Sequence, residues 1–188
     1  MSGGLLVSYI ALWVLVVALA IAVLALYNHF GRLYLNTPQG RDEQGPPPLE
    51  PLRKQILSDV QGRAVSLPIK GTPSLLFFSD VDCPLCDSLK PGLARFATER
   101  NDVALTVICG GNREAVVGWS TELGADVCVV PDPGNRIAAG FNVAMTPFLV
   151  ATDAEGNVRH KGLINEAEGF AAAAAAATRN NVLEVITR

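Results

Sequence analysis

Cys83 and Cys86, in the run Cys83-Pro84-Leu85-Cys86, are the side chains of this sequence best suited to chemistry. Thiols at this spacing can close to a disulfide and reopen, because positions three apart on a helix share a face one turn apart. The motif directly follows the apolar run SLLFFS, which suits a strand buried on both faces, and it opens a stretch from Pro84 to Glu99 that reads as a helix. Cys83 then falls at the N-cap and Pro84 at the first helical position, where its missing N–H costs nothing. Unpaired amides and the positive end of the helix dipole face the Cys83 sulfur and favour its thiolate, the form that attacks disulfides. Asp80 and Asp82 pull the other way, since a nearby carboxylate disfavours a thiolate. The expected division of labour has Cys83 as nucleophile and Cys86 as the resolving thiol that attacks the mixed disulfide formed with a client.

A zinc site built on the same pair would need a second Cys or His pair at ligand spacing. Cys109, Cys128, His29 and His160 supply none, so neither a metal nor a cofactor is expected. Copper delivery would need three residues between the cysteines, where this chain has two. Cys109 and Cys128 lie in neighbouring predicted strands and leave two readings open: a second disulfide, or two buried free thiols packing as small apolar residues. Met145 is expected to pack beside the active-site groove.

The elements that must position the motif follow from periodicity and turn signals. Gln61-Gly62 joins two short apolar segments into a hairpin across Leu57 to Leu67. Strands are predicted at Val103 to Cys109, Val127 to Val130, Phe148 to Thr152 and Val158 to Gly162, and helices at Arg113 to Leu123, Arg136 to Phe141 and Glu166 to Arg179. The last two strands should pair antiparallel through the loop 153–157. Strands alternating with helices, then a terminal hairpin, predict an α/β sheet that is mostly parallel with an antiparallel edge.

The chain has 188 residues, 49% hydrophobic and 18% charged, and its mean hydropathy of +0.30 is high for an ordinary globular domain. Lys and Arg number 15 against 18 Asp and Glu, a balance without the excess positive charge that nucleic-acid binding requires. The apolar excess concentrates before Arg32, in LLVSYIALWVLVVALAIAVLALY from Leu5 to Tyr27. As a helix at 1.5 Å per residue this run is about 34 Å long, enough to cross a hydrocarbon core. It is longer than a signal-peptide core and no Lys or Arg precedes it, so a retained transmembrane anchor at 1–35 is expected, with Tyr9, Trp13, Tyr27 and Tyr34 as interfacial residues. Residues 36–51, rich in Pro and Gly, read as a tether, and 52–188 as one domain. Arg32 alone would place its flank in the cytoplasm. Dithiol chemistry argues for an extracytoplasmic domain, because disulfides persist there.

Cys-x-x-Cys after a buried strand, with Pro91 five residues beyond Cys86, resembles the thioredoxin superfamily, and Thr146-Pro147 before FLVAT matches that superfamily's cis-proline loop. The resemblance implies a cis bond at Pro147 opposite Cys83, with Thr146 offering backbone hydrogen bonds to an extended client. The inserted DVCVVPD strand is similar to the membrane-tethered, TlpA-like subclass, a thioredoxin fold with an extra strand and helix after one transmembrane helix. The anchor sequence, the Pro-rich tether, FFSDVDCPLC and KGLINEAEGF together resemble the MauD family of methylamine utilisation proteins. Two positions depart from thioredoxin: Phe77 stands where it has a buried acid, and Asp82 where it has a Trp.

The resemblance implies a membrane-anchored thiol:disulfide oxidoreductase of the periplasm, acting on a disulfide-containing client. The small subunit of methylamine dehydrogenase, or of a similar amine dehydrogenase, fits that description. A membrane or periplasmic redox partner would restore the dithiol or disulfide. Reduction of apocytochrome c thiols for haem attachment, and a non-catalytic assembly role, are the alternatives. A peroxiredoxin is disfavoured because Asp80 occupies the place of its Thr, three residues before Cys83.

Overall fold

In a computed structural model of the chain, residues 2–35, 44–124 and 127–179 are described. The chain forms two compact units, Met1–Arg41 and Asp42–Arg188.

Among the described residues, the first unit is one helix, α1, Ser2–Leu35. Its side chains at residues 7–23 are apolar on every side apart from Ser8, and all are exposed. Among the described residues no helix is long and apolar enough to cross a membrane. The segment expected to span, 5–27, reaches beyond the continuous run of described side chains at both ends.

The second unit opens with the expected hairpin, β1 (Gln55–Ser58) antiparallel to β2 (Ala64–Leu67). Gly62 takes φ 84° in its turn, a conformation that glycine adopts without a Cβ clash. The turn is pinned to the sheet, since Val60 N–H donates to Val129 O at 2.8 Å and Arg113 Nη2 donates to Val60 O at 2.9 Å. There follow β3 (Ser74–Asp80), α2 (Pro84–Glu99), β4 (Ala104–Gly110), α3 (Arg113–Ser120), a 3-10 turn at Thr121–Leu123, and β5 (Cys128–Asp132). The chain continues through α4 (Arg136–Gly140), β6 (Phe148–Thr152), β7 (Val158–Leu163) and α5 (Glu168–Thr178).

Five strands form one sheet in the order β5-β4-β3-β6-β7. The β5–β4 and β4–β3 pairs are parallel, and the β3–β6 and β6–β7 pairs antiparallel. Antiparallel pairing therefore begins one strand further in than the sequence pattern suggests, because β6 packs directly against β3 instead of lying beyond a parallel core. The inserted strand β5 forms the opposite edge, where Pro131 leaves no ladder donor missing on a paired side.

Strand β3 alternates between two cores, as a continuous apolar run should. Leu75 and Phe77 pack with Leu93, Phe96 and Phe170 from α2 and α5, while Leu76 and Phe78 pack with Leu67, Phe141 and Phe148 on the hairpin and α4 side. Gly92 lets α2 approach the start of α5, since a Cβ there would strike Ala167.

Two further departures have physical causes. Residues 44–51, expected within an open tether, pack on the domain: Gly45 N–H donates to Asn142 O at 2.8 Å, Leu49 N–H to Val158 O at 2.9 Å, and Pro51 bridges to Asn157. Proline prevented helix here without preventing edge pairing along β7. The other part of the expected tether, 36–43, lies outside the described residues. Arg113 to Leu123 splits into α3 and the 3-10 turn, with Gly124 at φ 87° ending it.

Candidate active site

The redox pair stands where β3 hands the chain to α2. The parallel ladder from Ser74 to Asp80 ends there, and Val81 N–H still donates to Gly110 O at 3.0 Å, which fixes the loop to β4. Asp80 O accepts from Cys83 N–H at 3.2 Å, and Asp80 Oδ1 accepts from Asp82 N–H at 2.9 Å. Cys83 is the N-cap of α2, in extended conformation, and its Sγ accepts the backbone N–H of Cys86 at 3.1 Å. Pro84 fills the first helical position. An unpaired amide of the first turn is thus aimed at sulfur, where negative charge would develop on reduction.

Cys83 and Cys86 are joined as a disulfide, with their Cα atoms 5.3 Å apart. Cys83 is partly exposed and Cys86 is fully buried. One sulfur can meet a client and the other can meet only its neighbour. Helix α2 continues through Pro91, which has no N–H to offer the Asp87 carbonyl one turn back. The Thr146–Pro147 peptide is cis, as the superfamily resemblance implies, and leads straight into β6.

Cys109 and Cys128 are both free thiols. Cys109 pairs with Pro131 and Cys128 with Thr106 in the β4–β5 ladder, so the two lie three register steps apart. At about 3.3 Å per residue that is roughly 10 Å, and the odd offset puts them on opposite faces. Of the two readings, the second disulfide is excluded. Burial pushes the Cys109 thiol up to about 12 and raises that of Cys128, so neither resembles an activated nucleophile. Among the described residues no group of His, Cys, Asp and Glu is arranged to hold a metal.

The geometry is that of a dithiol/disulfide redox centre, and the comparisons agree. The chain is 30% identical over 170 residues to the methylamine utilisation protein MauD of Paracoccus versutus, covering 87% of this chain and 84% of that protein. It is 32% identical over 181 residues to MauD of Methylobacillus flagellatus, covering 89% and 83%. The chain belongs to the MauD family. Solved structures show the fold of this MauD-family domain to be the thioredoxin fold. DsbF of Mycobacterium tuberculosis superposes with a TM-score of 0.60 at 19% identity, over 66% of this chain and 95% of that one. A secreted disulfide oxidoreductase of the same organism, homologous to DsbE, gives 0.57 at 20%, over 65% and 95%. No family model matches the chain.

Beside the motif, this MauD-family chain carries a polar cluster that sequence reasoning missed. Trp119 Nε1 donates to Asp87 Oδ1 at 2.7 Å. Lys90 is 7% exposed, and its Nζ lies 3.2 Å from Asp87 Oδ1, 3.3 Å from Glu122 Oε1 and 5.1 Å from the centre of the Trp119 ring. Burial opposes the charge on Lys90, but the hydrogen bonds its ammonium donates to the Asp87 and Glu122 carboxylates outweigh it and hold the ammonium above its usual range. The cluster ties α2, immediately after Cys86, to α3 and the turn behind it. The Asp87-x-x-Lys90 spacing was visible in the sequence; that Trp119 and Glu122 close over it was not.

Proposed function

We propose that this chain is a membrane-tethered thiol:disulfide oxidoreductase that exchanges disulfides with a client protein. The observation that carries the reading is the asymmetry of the Cys83–Cys86 disulfide: a partly exposed N-cap sulfur facing an amide at 3.1 Å, joined to a fully buried one. Starting from the disulfide form, a client thiolate attacks Cys83, and Cys86 leaves as its thiolate and takes a proton. A second client thiolate then displaces Cys83 and closes the client's own disulfide, leaving the protein as a dithiol. The reverse sequence reduces a client. In this reading Thr146 and Pro147 hold the client's extended backbone beside Cys83.

Membership of the MauD family supports a client in methylamine oxidation, and the small subunit of methylamine dehydrogenase, which must acquire its disulfides, is the one proposed. The all-round apolar face of residues 7–23 in α1 supports an anchor in the bilayer. The chemistry supports a periplasmic domain, served by a membrane or periplasmic redox partner.

The test is a stoichiometric exchange assay with the purified full-length protein. The oxidised form should consume two thiols of a reduced client peptide per molecule and return one peptide disulfide. Cys83→Ser and Cys86→Ser should each abolish it. Turnover that survives Cys83→Ser would overturn the proposal.

A further inference from the structure

A groove of about 480 Å³ is lined by α4, by the loop that carries Thr146, and by Asp80, three residues before Cys83. The Asp80 carbonyl accepts the Cys83 N–H at 3.2 Å, which ties this lining residue to the backbone of the redox motif. Asp80 is also the only ionisable side chain among the lining residues. Its two oxygens are differently occupied. Oδ1 accepts from Asp82 N–H, whereas Oδ2 and Asn135 Oδ1 converge over the bare Cα of Gly110, where a Cβ would strike both.

The wall is built rigidly. Buried Asp132 accepts Ile137 N–H at 2.9 Å and Ala138 N–H at 2.8 Å, which fixes α4, and Asn135 is held at φ 55°. Ala138, Val143 and Met145 line the groove together with the polar Asn135, Asn142 and Thr146. A groove of mixed apolar and polar lining with a single carboxylate suits a long side chain with a methylene stem and a cationic head.

We propose that this groove takes a Lys or Arg side chain of the client next to the cysteine under attack, with Asp80 as the specificity-determining residue. The inference rests on the exchange reading above and adds to it the charge of the preferred client. Asp82, exposed two residues further on, carries the same sign and contributes to steering, while Asp80 alone receives the cation. A client with a basic residue near its cysteine is drawn in and held in register. One with an acidic residue there meets like charge, which costs both encounter rate and residence.

The test uses the full-length protein in detergent, reduced and freed of reductant, with quenched-fluorescence peptide disulfides that differ only by Lys, Gln or Glu beside the cysteine. Each reaction converts one protein dithiol and one peptide disulfide into a protein disulfide and two peptide thiols, so all peptides share one readout. At low salt the Lys peptide should react about ten times faster than the Glu peptide, and the ratio should shrink at about 0.5 M salt. Asp80→Asn should bring the ratio close to one, and Asp80→Lys should invert it, with circular dichroism confirming the fold of both. A ratio within about twofold of one in the unmodified protein overturns the proposal. So does a ratio that Asp80→Asn leaves intact, or one that Asp82→Asn abolishes equally. If no peptide exchanges at all, the failure lies with the exchange reading, which the uncharged Gln peptide tests without the groove.

Discussion

The backbone N–H of Cys86 points at the Sγ of Cys83 from 3.1 Å, and the Cys86 side chain is itself sealed in the core between α2 and the sheet. One residue therefore offers its amide to the Cys83 sulfur and, in the proposed exchange, its own thiol to resolve the mixed disulfide, while having no access to solvent.

That relationship predicts a strict order of alkylation in the reduced protein. Iodoacetamide at neutral pH should label Cys83 first and leave Cys86 and Cys109, both fully buried, unmodified until the domain unfolds. Peptide mapping by mass spectrometry reads the order directly. Equal labelling of Cys86 in the folded state would contradict the geometry.

Alkaline stability should carry the mark of Cys109. Burial raises its thiol from 9.0 to about 12 in the folded state. A thiol kept neutral by the fold stabilises the protein fully below the unfolded value, and the contribution is lost as pH rises through the folded one. Thermal stability should therefore decline between about pH 9 and 12, and Cys109→Ala should flatten that decline while creating a small cavity. A melting-temperature series against pH, run on both proteins, checks it.

At the acid end the same reasoning points to Asp59. Burial opposes its charge, but Arg63, through its side chain at 2.6 Å and its backbone N–H at 2.8 Å, outweighs that cost and holds the carboxyl below its usual value of 3.8. Stability from Asp59 is present above pH 3.8 and is lost as pH falls through the lower folded value. Asp59→Ala should cost about 2 kcal/mol at neutral pH, less than a fully buried pair because Arg63 is largely solvated. Urea unfolding at pH 7 and pH 3 should show the difference narrowing in acid.

The Lys90 cluster predicts a difference between two substitutions. Lys90→Met keeps the packed stem but leaves Asp87 and Glu122 without their cation, and should cost about 1–2 kcal/mol. Lys90→Ala removes the stem as well and should cost about 1 kcal/mol more. Denaturant melts of the two variants measure both. Equal stability of the variants would show that the stem does not pack.

Most of the positions that build the redox centre were legible in the sequence because each is decided locally. The run SLLFFS marks a two-faced strand, Pro84 directly after Cys83 suits the first turn of a helix, and Cys83 and Cys86 share one face by spacing alone. The missed features are contacts between distant residues. Trp119 meets Asp87 across 32 positions, and the docking of residues 44–51 depends on an exposed edge of β7 that no local pattern reveals. Cys109 and Cys128 were undecided for the same reason: neighbouring strands allow a bridge in one register and forbid it three steps away.

Trapping tests the central claim most directly. Cys86→Ser removes the resolving thiol while the Cys83 sulfur keeps its amide and its exposure, so an intermolecular disulfide formed through Cys83 should persist. In cells making the full-length variant under the native pathway's conditions, non-reducing gels should show a reductant-sensitive adduct that is missing from Cys83→Ser/Cys86→Ser. Mass spectrometry should place the linkage at Cys83 and a client cysteine. A folded, membrane-fractionated Cys86→Ser protein that forms no covalent adduct would contradict the account.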